Sequence, residues 1–459
     1  MAKKKTMKTK WRPGDMVELT VTDLTRTGEG VGHVDGATVF VDGAVPGDRL
    51  SVRLTVIKEQ YVVGETAAML EASAHRVEPA CAYYPQCGGC QWLHVDYPFQ
   101  LELKGSMVAG HLQRIGHIEG ARELVRPVLR MDEPVHYRNK AQYKASRAGL
   151  GFYRKGTHGV IPIGECLNQE EPVAAINQAC QQWLEESGLR VYNEKTGKGC
   201  LRGVLQRSNR AGEVLVTLIV KEAAGIDQKA VAALFRREVP QLASLYLNVN
   251  GSRGNRVLGQ EMIRLWGKDE LTEELCGCSF QVSPVSFFQV NTSQAAVLYQ
   301  QAIIAAGLDG TQRVADLYCG TGTIGICLAA HAREVVGIES VPEAVEDARA
   351  NARLNHVDNI RFHCGTAEKV LPLLMEKGFV PDVVVLDPPR KGCARSLLAA
   401  IADCGIGQIV YVSCDSATLA RDCGYLAERG YVLGYVQPVD LFPGTGHIET
   451  VALVTKKVE

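Results

Sequence analysis

Val314-Ala-Asp-Leu-Tyr-Cys-Gly-Thr-Gly-Thr-Ile-Gly325 is a short apolar run that breaks into a loop with glycines at 320, 322 and 325. Those glycines satisfy G-x-G-x-x-G, and a helical pattern over 326–332 follows them. A second apolar run, 334–338, ends at Glu339, about 20 residues after the first glycine. A helix is expected over 342–354. Strand–helix alternation from about residue 281 onward predicts an α/β fold, a Rossmann-like doubly wound parallel sheet. A glycine loop lets backbone amides approach a ligand, and a carboxylate ending the second strand can accept both ribose hydroxyls. NAD and S-adenosylmethionine sites both need these features, so the loop leaves the two open.

The later strand ends separate them. Val383-Val-Val-Leu386 runs into Asp387-Pro-Pro-Arg390, and Gln408-Ile-Val-Tyr-Val412 breaks at Ser413, just before Cys414. Such sheets keep ligands at the carboxyl ends of their strands. A nucleotide cradle, a carboxylate and a thiol are therefore expected on one rim. A cysteine is ordinarily a small buried hydrophobe, but the neighbours of Cys414 point to chemistry. Hydride transfer needs no thiol there, whereas methylation of a pyrimidine carbon does. C5 of uracil is a poor nucleophile until another nucleophile adds at C6, and a base must later remove the C5 proton. Cys414 suits the first role. For the second, His447 and Glu449 lie on the Gly- and Pro-bearing turn ahead of a final strand over 451–455. Glu449 borders apolar sequence, which suits a raised pKa; the plainer reading is a solvent-facing carboxylate at a strand start.

Residues 1–75 look like a basic tail and a small barrel. Strands are expected over 17–24, 37–41 and 50–57, with glycine-rich turns between them. Lys3, Lys4, Lys5, Lys8, Lys10 and Arg12 precede any acid, as either a solvated tail or a phosphate-attracting arm. Next comes a metal signal. Cys81, Cys87 and Cys90, the last two flanking a pair of glycines, can wrap one centre, with Cys166 as the candidate fourth ligand. All-thiolate ligation suits structural zinc or an iron–sulfur cluster, and spacing alone does not choose. Between these cysteines, Tyr137, Arg138, Lys140, Tyr143, Lys144 and Tyr153 suit either an RNA-stacking surface or an amphipathic strand pair. Strands over 214–220 and 245–249 and a helix over 230–237 complete a mixed α+β region.

The bulk numbers agree with a large enzyme. The 459 residues allow two to four domains, and 15 cysteines with no secretory signal point to a reducing cytoplasm. No apolar run is long enough to span a membrane. Net charge is −1, so contact with nucleic acid must come from local patches.

Gly28-Glu-Gly-Val-Gly-His33 with Val45-Pro-Gly-Asp48 resembles the TRAM domain, an OB-like RNA-binding module. Five further motifs follow in order: Ser286-Phe-Phe-Gln-Val-Asn291, Asp316-Leu-Tyr-Cys-Gly-Thr-Gly322, Leu386-Asp-Pro-Pro-Arg-Lys-Gly392, Val412-Ser-Cys-Asp415 and Gly446-His-Ile-Glu449. Together they resemble the RNA uracil-5-methyltransferase family, and most closely its TRAM-bearing iron–sulfur branch acting on 23S ribosomal RNA. The resemblance spans essentially the whole chain. It implies a [4Fe-4S] cluster on Cys81, Cys87, Cys90 and Cys166. It implies S-adenosylmethionine contacts by Gln289, Tyr318, Glu339 and Asp387, with Cys414 as nucleophile and Glu449 as base. One departure is Asp415, where relatives often carry Asn; little effect on the chemistry is expected. The resemblance also implies that a helix near 97–116 packs on the catalytic domain, so domains at 1–75, 76–280 and 281–459 are not strictly contiguous. The expected partner is structured RNA, with the protein a cytoplasmic monomer. The rival readings are a tRNA T-loop uridine methyltransferase, an NAD-dependent iron–sulfur redox protein and an RNA-binding iron–sulfur protein with a vestigial catalytic domain.

Overall fold

The computed structural model describes residues 11–170, 173–254 and 256–457. The lysines of the N-terminal tail lie outside the described residues. The chain forms two compact units, one of residues 1–107 with 442–447, the other of 108–441 with 448–459.

In the first unit, β1 (Met16–Leu24), β2 (Glu29–Val34), β3 (Ala37–Asp42), β4 (Arg49–Ile57) and β5 (Val62–Glu71) close into a barrel of order β1-β2-β3-β5-β4. Alternation along each strand turns Leu19, Val21, Val39, Val41, Leu50, Val52 and Leu54 inward, where they form one core. Closure leaves no room for side chains at some inward positions: a Cβ on Gly64 would lie 2.2 Å from Val52. The helix α1 (Tyr97–Arg114) follows, and the division between units falls within it. Expected over 97–116, it ends earlier, and Ile115 lies past its end, exposed.

The second unit holds the short α2 (Ala121–Leu124) and then β6 (Lys140–Ser146), β7 (Gly149–Tyr153), β8 (Val160–Pro162), α3 (Val173–Ser187), β9 (Leu201–Ser208), β10 (Val214–Val220), α4 (Gln228–Glu238), β11 (Leu242–Val249) and β12 (Glu261–Gly267). Its strands form a mixed sheet of order β12-β11-β10-β9-β6-β7-β8. A hairpin of β13 (Leu271–Leu275) and β14 (Cys278–Val282) leads to α5 (Thr292–Ala306). The chain then alternates: β15 (Arg313–Leu317), α6 (Thr323–Ala329), β16 (Glu334–Glu339), α7 (Pro342–Leu354), β17 (Ile360–Cys364), α8 (Ala367–Glu376), β18 (Val383–Leu386), α9 (Arg395–Asp403), β19 (Gln408–Ser413), α10 (Ser416–Ala427), β20 (Tyr431–Val439) and β21 (Glu449–Lys456).

This second sheet has the order β17-β16-β15-β18-β19-β21-β20, parallel from β17 to β19 and antiparallel at β21. The expected α/β class and the barrel are both present. Because helices cover a parallel sheet on both faces, its central strands are largely apolar, and all four residues of β18 are buried. Strand order reverses between β15 and β18, the switch point where such sheets open a crevice. Two bounds differ from expectation. The helix after the glycine loop starts at Thr323 rather than 326, because Gly322 (φ 79°) turns the loop straight into it. The last strand starts at Glu449 rather than 451, since Glu449 pairs with Val439.

Candidate active site

The register of the parallel sheet aligns the strand ends. Leu317 pairs with Ile338 on one side and Leu386 on the other, and Leu386 pairs with Tyr411. Tyr318, Glu339 and Asp387 each follow the last residue of that row, so all three stand on the rim at the switch point. Sequence adjacency alone could not have aligned them; strand pairing does.

The glycine loop is built on buried polar anchors. Asp316, fully buried, accepts the Gly325 N–H at 2.8 Å, tying the start of α6 to β15. A Cβ on Gly325 would lie 2.7 Å from that carboxylate, so the motif needs glycine there. Tyr318 adopts φ 65°, which turns the chain off the strand. Its hydroxyl donates to Glu368 at 3.1 Å. Glu339 accepts N–H groups from Gly320 (3.2 Å), Ser340 (2.6 Å) and Val341 (2.9 Å), which fixes its carboxylate against the loop. Burial, then the negative charges of Asp387 and Glu339, push Asp316 up to about 7, and burial does the same to Asp387.

Gln289 enters from the segment ahead of α5. Four contacts hold that segment: Arg207 donates to the Ser286 carbonyl (2.8 Å), Asn139 to the Gln289 carbonyl (3.1 Å) and, through its backbone N–H, to the Val290 carbonyl (2.8 Å), and Asn291 to the Leu441 carbonyl (3.0 Å). Arg207 is itself buried, and burial lowers its pKa to about 10, with Glu273 opposing. Asn291 also caps α5 through Gln294 N–H. These supports come from distant sequence positions, and nothing in the motif announced them.

Cys414 stands one residue beyond β19. Ser413 pairs with Thr450 in the antiparallel β19–β21 ladder, so the register sets Cys414 across from Glu449. Glu449 is buried, with 4% of its surface exposed, which removes the reading of a solvent-facing strand-start carboxylate. Burial, then Glu449 and Asp387, push the Cys414 thiol up to about 11, while Arg390 pulls it down. Two chain positions earlier, His447 belongs to the first unit, where its Nδ1 meets the Arg26 guanidinium at 2.6 Å. That partner occupies one ring nitrogen. Asp415 caps α10, its Oδ1 accepting Ala417 and Thr418 N–H groups at 3.1 Å. An Asn carries the same acceptor, which accounts for the departure at this position.

Two other expectations resolve differently. Tyr137 and Tyr143 of the basic stretch are buried, Tyr143 on β6, an interior strand between β9 and β7. They are packing residues and not base-stacking platforms; Tyr143 lies 5.0 Å from the Phe152 ring. Lys140 is partly buried as well, and burial beside Arg207 and Arg138 lowers its pKa to about 8. Cys81, Cys87 and Cys90 lie on the loop between β5 and α1, half-buried, with Gly89 N–H on Cys87 Sγ at 3.4 Å. Cys166 lies between β8 and α3. Among the described residues no group of three or more His, Cys, Asp or Glu side chains is gathered closely enough to hold a metal ion. The donor chemistry fits a thiolate-bound centre; the described arrangement does not assemble one. None of the fifteen cysteines is in a disulfide. No described helix is long and apolar enough to cross a membrane.

Comparison with known proteins gives the same reading. The tRNA (uracil-5-)-methyltransferase family matches residues 206–457, and the TRAM domain matches residues 10–67. An uncharacterized RNA methyltransferase of Halalkalibacterium halodurans is 42% identical over 448 residues, 96% of this chain and 97% of its own. One from Clostridium acetobutylicum is 39% identical over 444 residues, 96% of each chain. The tRNA (uracil-54, C5)-methyltransferase of Pyrococcus abyssi, solved with S-adenosyl-L-homocysteine, superposes with a TM-score of 0.77 at 28% identity, covering 96% of this chain and all of that one. With a glycine loop, a strand-end thiol and a facing carboxylate on a doubly wound sheet, this chain belongs to the RNA uracil-5-methyltransferase family, with a TRAM domain at its N-terminus.

Proposed function

We propose that this protein methylates C5 of a uridine in structured RNA, with Cys414 as nucleophile, Glu449 as base and S-adenosylmethionine as methyl donor. The observation that supports this most is the β19–β21 pairing, which ends one step short of Cys414 and Glu449. The Cys414 thiolate adds to C6, so that C5 gains the electron pair of the former double bond. S-adenosylmethionine supplies an electrophilic methyl group, and S-adenosylhomocysteine leaves. Glu449 then takes the C5 proton, and the returning electrons re-form the C5–C6 bond and expel Cys414. Gln289, Tyr318, Glu339 and Asp387 bind the donor: Glu339 accepts ribose hydroxyls, and Asp387 accepts from the adenine or the amino group. A buried carboxylate suits proton removal, because burial favours its protonated form after the transfer.

The substrate we propose is 23S ribosomal RNA, and the protein acts as a cytoplasmic monomer. The TRAM-type barrel and the four-cysteine set support this branch. Cys81, Cys87, Cys90 and Cys166 are the proposed ligands of a [4Fe-4S] cluster, on the chemistry of an all-thiolate set. A second reading, a tRNA uridine, is favoured by the Pyrococcus abyssi enzyme, whose own substrate is uracil-54 of tRNA. Labelled S-adenosylmethionine offered with separated ribosomal and transfer RNA, followed by mass mapping, decides between them. Label in 5-methyluridine of 23S RNA is expected, and label in tRNA alone selects the second reading. A Cys414→Ala enzyme that still methylates would reject the mechanism. Four iron and four sulfide per chain are expected in anaerobically prepared protein, and a single zinc would reject the cluster.

A further inference from the structure

The hairpin of β13 and β14 is a two-stranded sheet on its own, and a lone hairpin is marginally stable. Side chains of α7 occupy the outer edge of β14, where backbone groups have no strand to pair with. Positions 347, 351 and 355, four residues apart, form one row along that helix and the residue that ends it. Asn355 acts on Ser279 as a strand would, accepting its N–H at 2.7 Å and donating to its carbonyl at 2.6 Å. Asn351 Oδ1 accepts the Gln281 N–H at 2.9 Å, and Asp347 Oδ2 accepts the Ser286 hydroxyl at 3.1 Å. The row therefore follows the chain from β14 toward Gln289.

Asn351 reaches the glycine loop as well. Its Nδ2 donates to the Thr321 carbonyl at 3.2 Å. Gly320 (φ 54°) and Gly322 (φ 79°) flank Thr321, so the chain there is neither helix nor strand and its carbonyl needs a partner from elsewhere. The loop lies hard against α7: a Cβ on Gly322 would sit 3.1 Å from the Ala348 methyl and 2.9 Å from the Phe362 ring. Asn351 is 1% exposed, on a buried helix face whose other members are Val345, Ala348 and Ala352. An amide in such a place costs free energy unless both its ends are paired. Here one end is paired to the loop and the other to the strand that leads to Gln289.

We propose that Asn351 is a positioning residue for the methyl donor, coupling the glycine loop to the segment that carries Gln289 through its two amide hydrogen bonds. The inference rests on the reading that this loop, Glu339 and Gln289 bind S-adenosylmethionine. Each segment also has a support of its own: Glu339 accepts the Gly320 N–H, and Asn139 donates to the Gln289 carbonyl. Asn351 joins the two, so that they meet the donor at one fixed spacing. A pre-set spacing lowers the ordering cost of binding, and its loss is felt in donor affinity before it is felt in the chemistry.

The test is donor affinity, measured by calorimetry on the full-length enzyme with S-adenosylhomocysteine, alongside KM and kcat for methyl transfer. Asn351→Ala is expected to weaken S-adenosylhomocysteine binding and raise the KM for S-adenosylmethionine about tenfold, with kcat at saturating donor within about twofold. Asn355→Ala is the control, because it removes two hydrogen bonds from the same hairpin edge and none from the loop. It should lower the melting temperature and leave donor affinity within about twofold of wild type. The Leu variants, close to Asn in shape, replace either Ala variant that does not fold. Wild-type donor affinity in the Asn351 variant, or an equal loss in both variants, would overturn the inference and leave the row a structural edge only. A Glu339→Gln enzyme with wild-type donor affinity would instead remove the donor-site reading, so the two failures are distinguishable.

Discussion

Asp48 in the barrel unit and Asp316 under the glycine loop are both fully buried carboxylates, with opposite fates. Burial pushes Asp48 up, but the Arg76 guanidinium and the N–H groups of Ser73 (2.9 Å) and Val45 (2.7 Å) outweigh it and hold the carboxyl below its ordinary value. Asp316 accepts one N–H, from Gly325, through Oδ2, while Oδ1 has no hydrogen-bond partner among the described residues. Its neighbours Asp387 and Glu339 are negative, and it rises to about 7. Native proteins compensate nearly all buried polar groups. Asp48 obeys that rule, and Asp316 departs from it at one oxygen. A buried carboxylate left short of donors beneath the glycine loop is a candidate functional-site feature.

Substitutions can break this contrast. The largest effect is expected at Glu449. Glu449→Gln should lower turnover about 10²–10⁴-fold with the melting temperature nearly unchanged, and should trap enzyme covalently on methylated RNA as a slow band on a denaturing gel. Wild-type turnover without a trapped species would make Glu449 structural and move the base elsewhere, with His447→Ala as the next variant to examine.

Asp48→Asn should do the reverse. Removing the carboxylate leaves the Arg76 guanidinium, about a quarter exposed, without its buried partner. A loss of about 3 kcal/mol in urea unfolding is expected, with donor affinity per folded molecule retained. Loss of donor binding without loss of stability would erase the distinction between the two regions.

Acidity separates the regions by sign. Asp48 has a lowered folded pKa, so its contribution is present above about pH 4 and lost as pH falls through the folded value. Asp316 and Asp387 have raised values, so theirs is fully present below about pH 4 and is lost as pH rises through about 7. Hydrogen exchange, corrected for its intrinsic pH dependence, should show the β15 and β18 ends becoming less protected between pH 5 and 8 while β4 stays level. Parallel trends in both would contradict the contrast. The smallest effect belongs to Asp316→Asn, which keeps the acceptor for Gly325 and removes the charge; at pH 8 a change within about 1 kcal/mol is expected.

Much of this was legible along the chain. The two central apolar strands and the glycine loop carry their fold assignment locally, because a strand buried on both faces must be apolar and a loop closing on a carboxylate must lack a Cβ. Tyr318, Glu339, Asp387 and Cys414 could be named as candidates because each stands at the end of such a strand. The anchors were not legible. Asn139 and Arg207 sit 150 and 79 residues from the atoms of Gln289 and Ser286 that they serve, within segments that read as ordinary strand. Nor was the inward turn of Tyr143, since a two-residue period assigns alternating faces without saying which face a neighbouring strand will cover.

By itself, then, the sequence determined the strands, the glycine loop and the type of chemistry, and it nominated Cys414 and Glu449 as the reacting groups, from residue type and short-range spacing. Only the tertiary structure decided that Glu449 faces Cys414 from a buried strand start, that His447 is engaged by Arg26, and that Asp316 is left short of donors. Pairing register, burial and hydrogen-bond partners are set by which distant segments meet, and a carboxylate or thiol acquires its pKa only from that company.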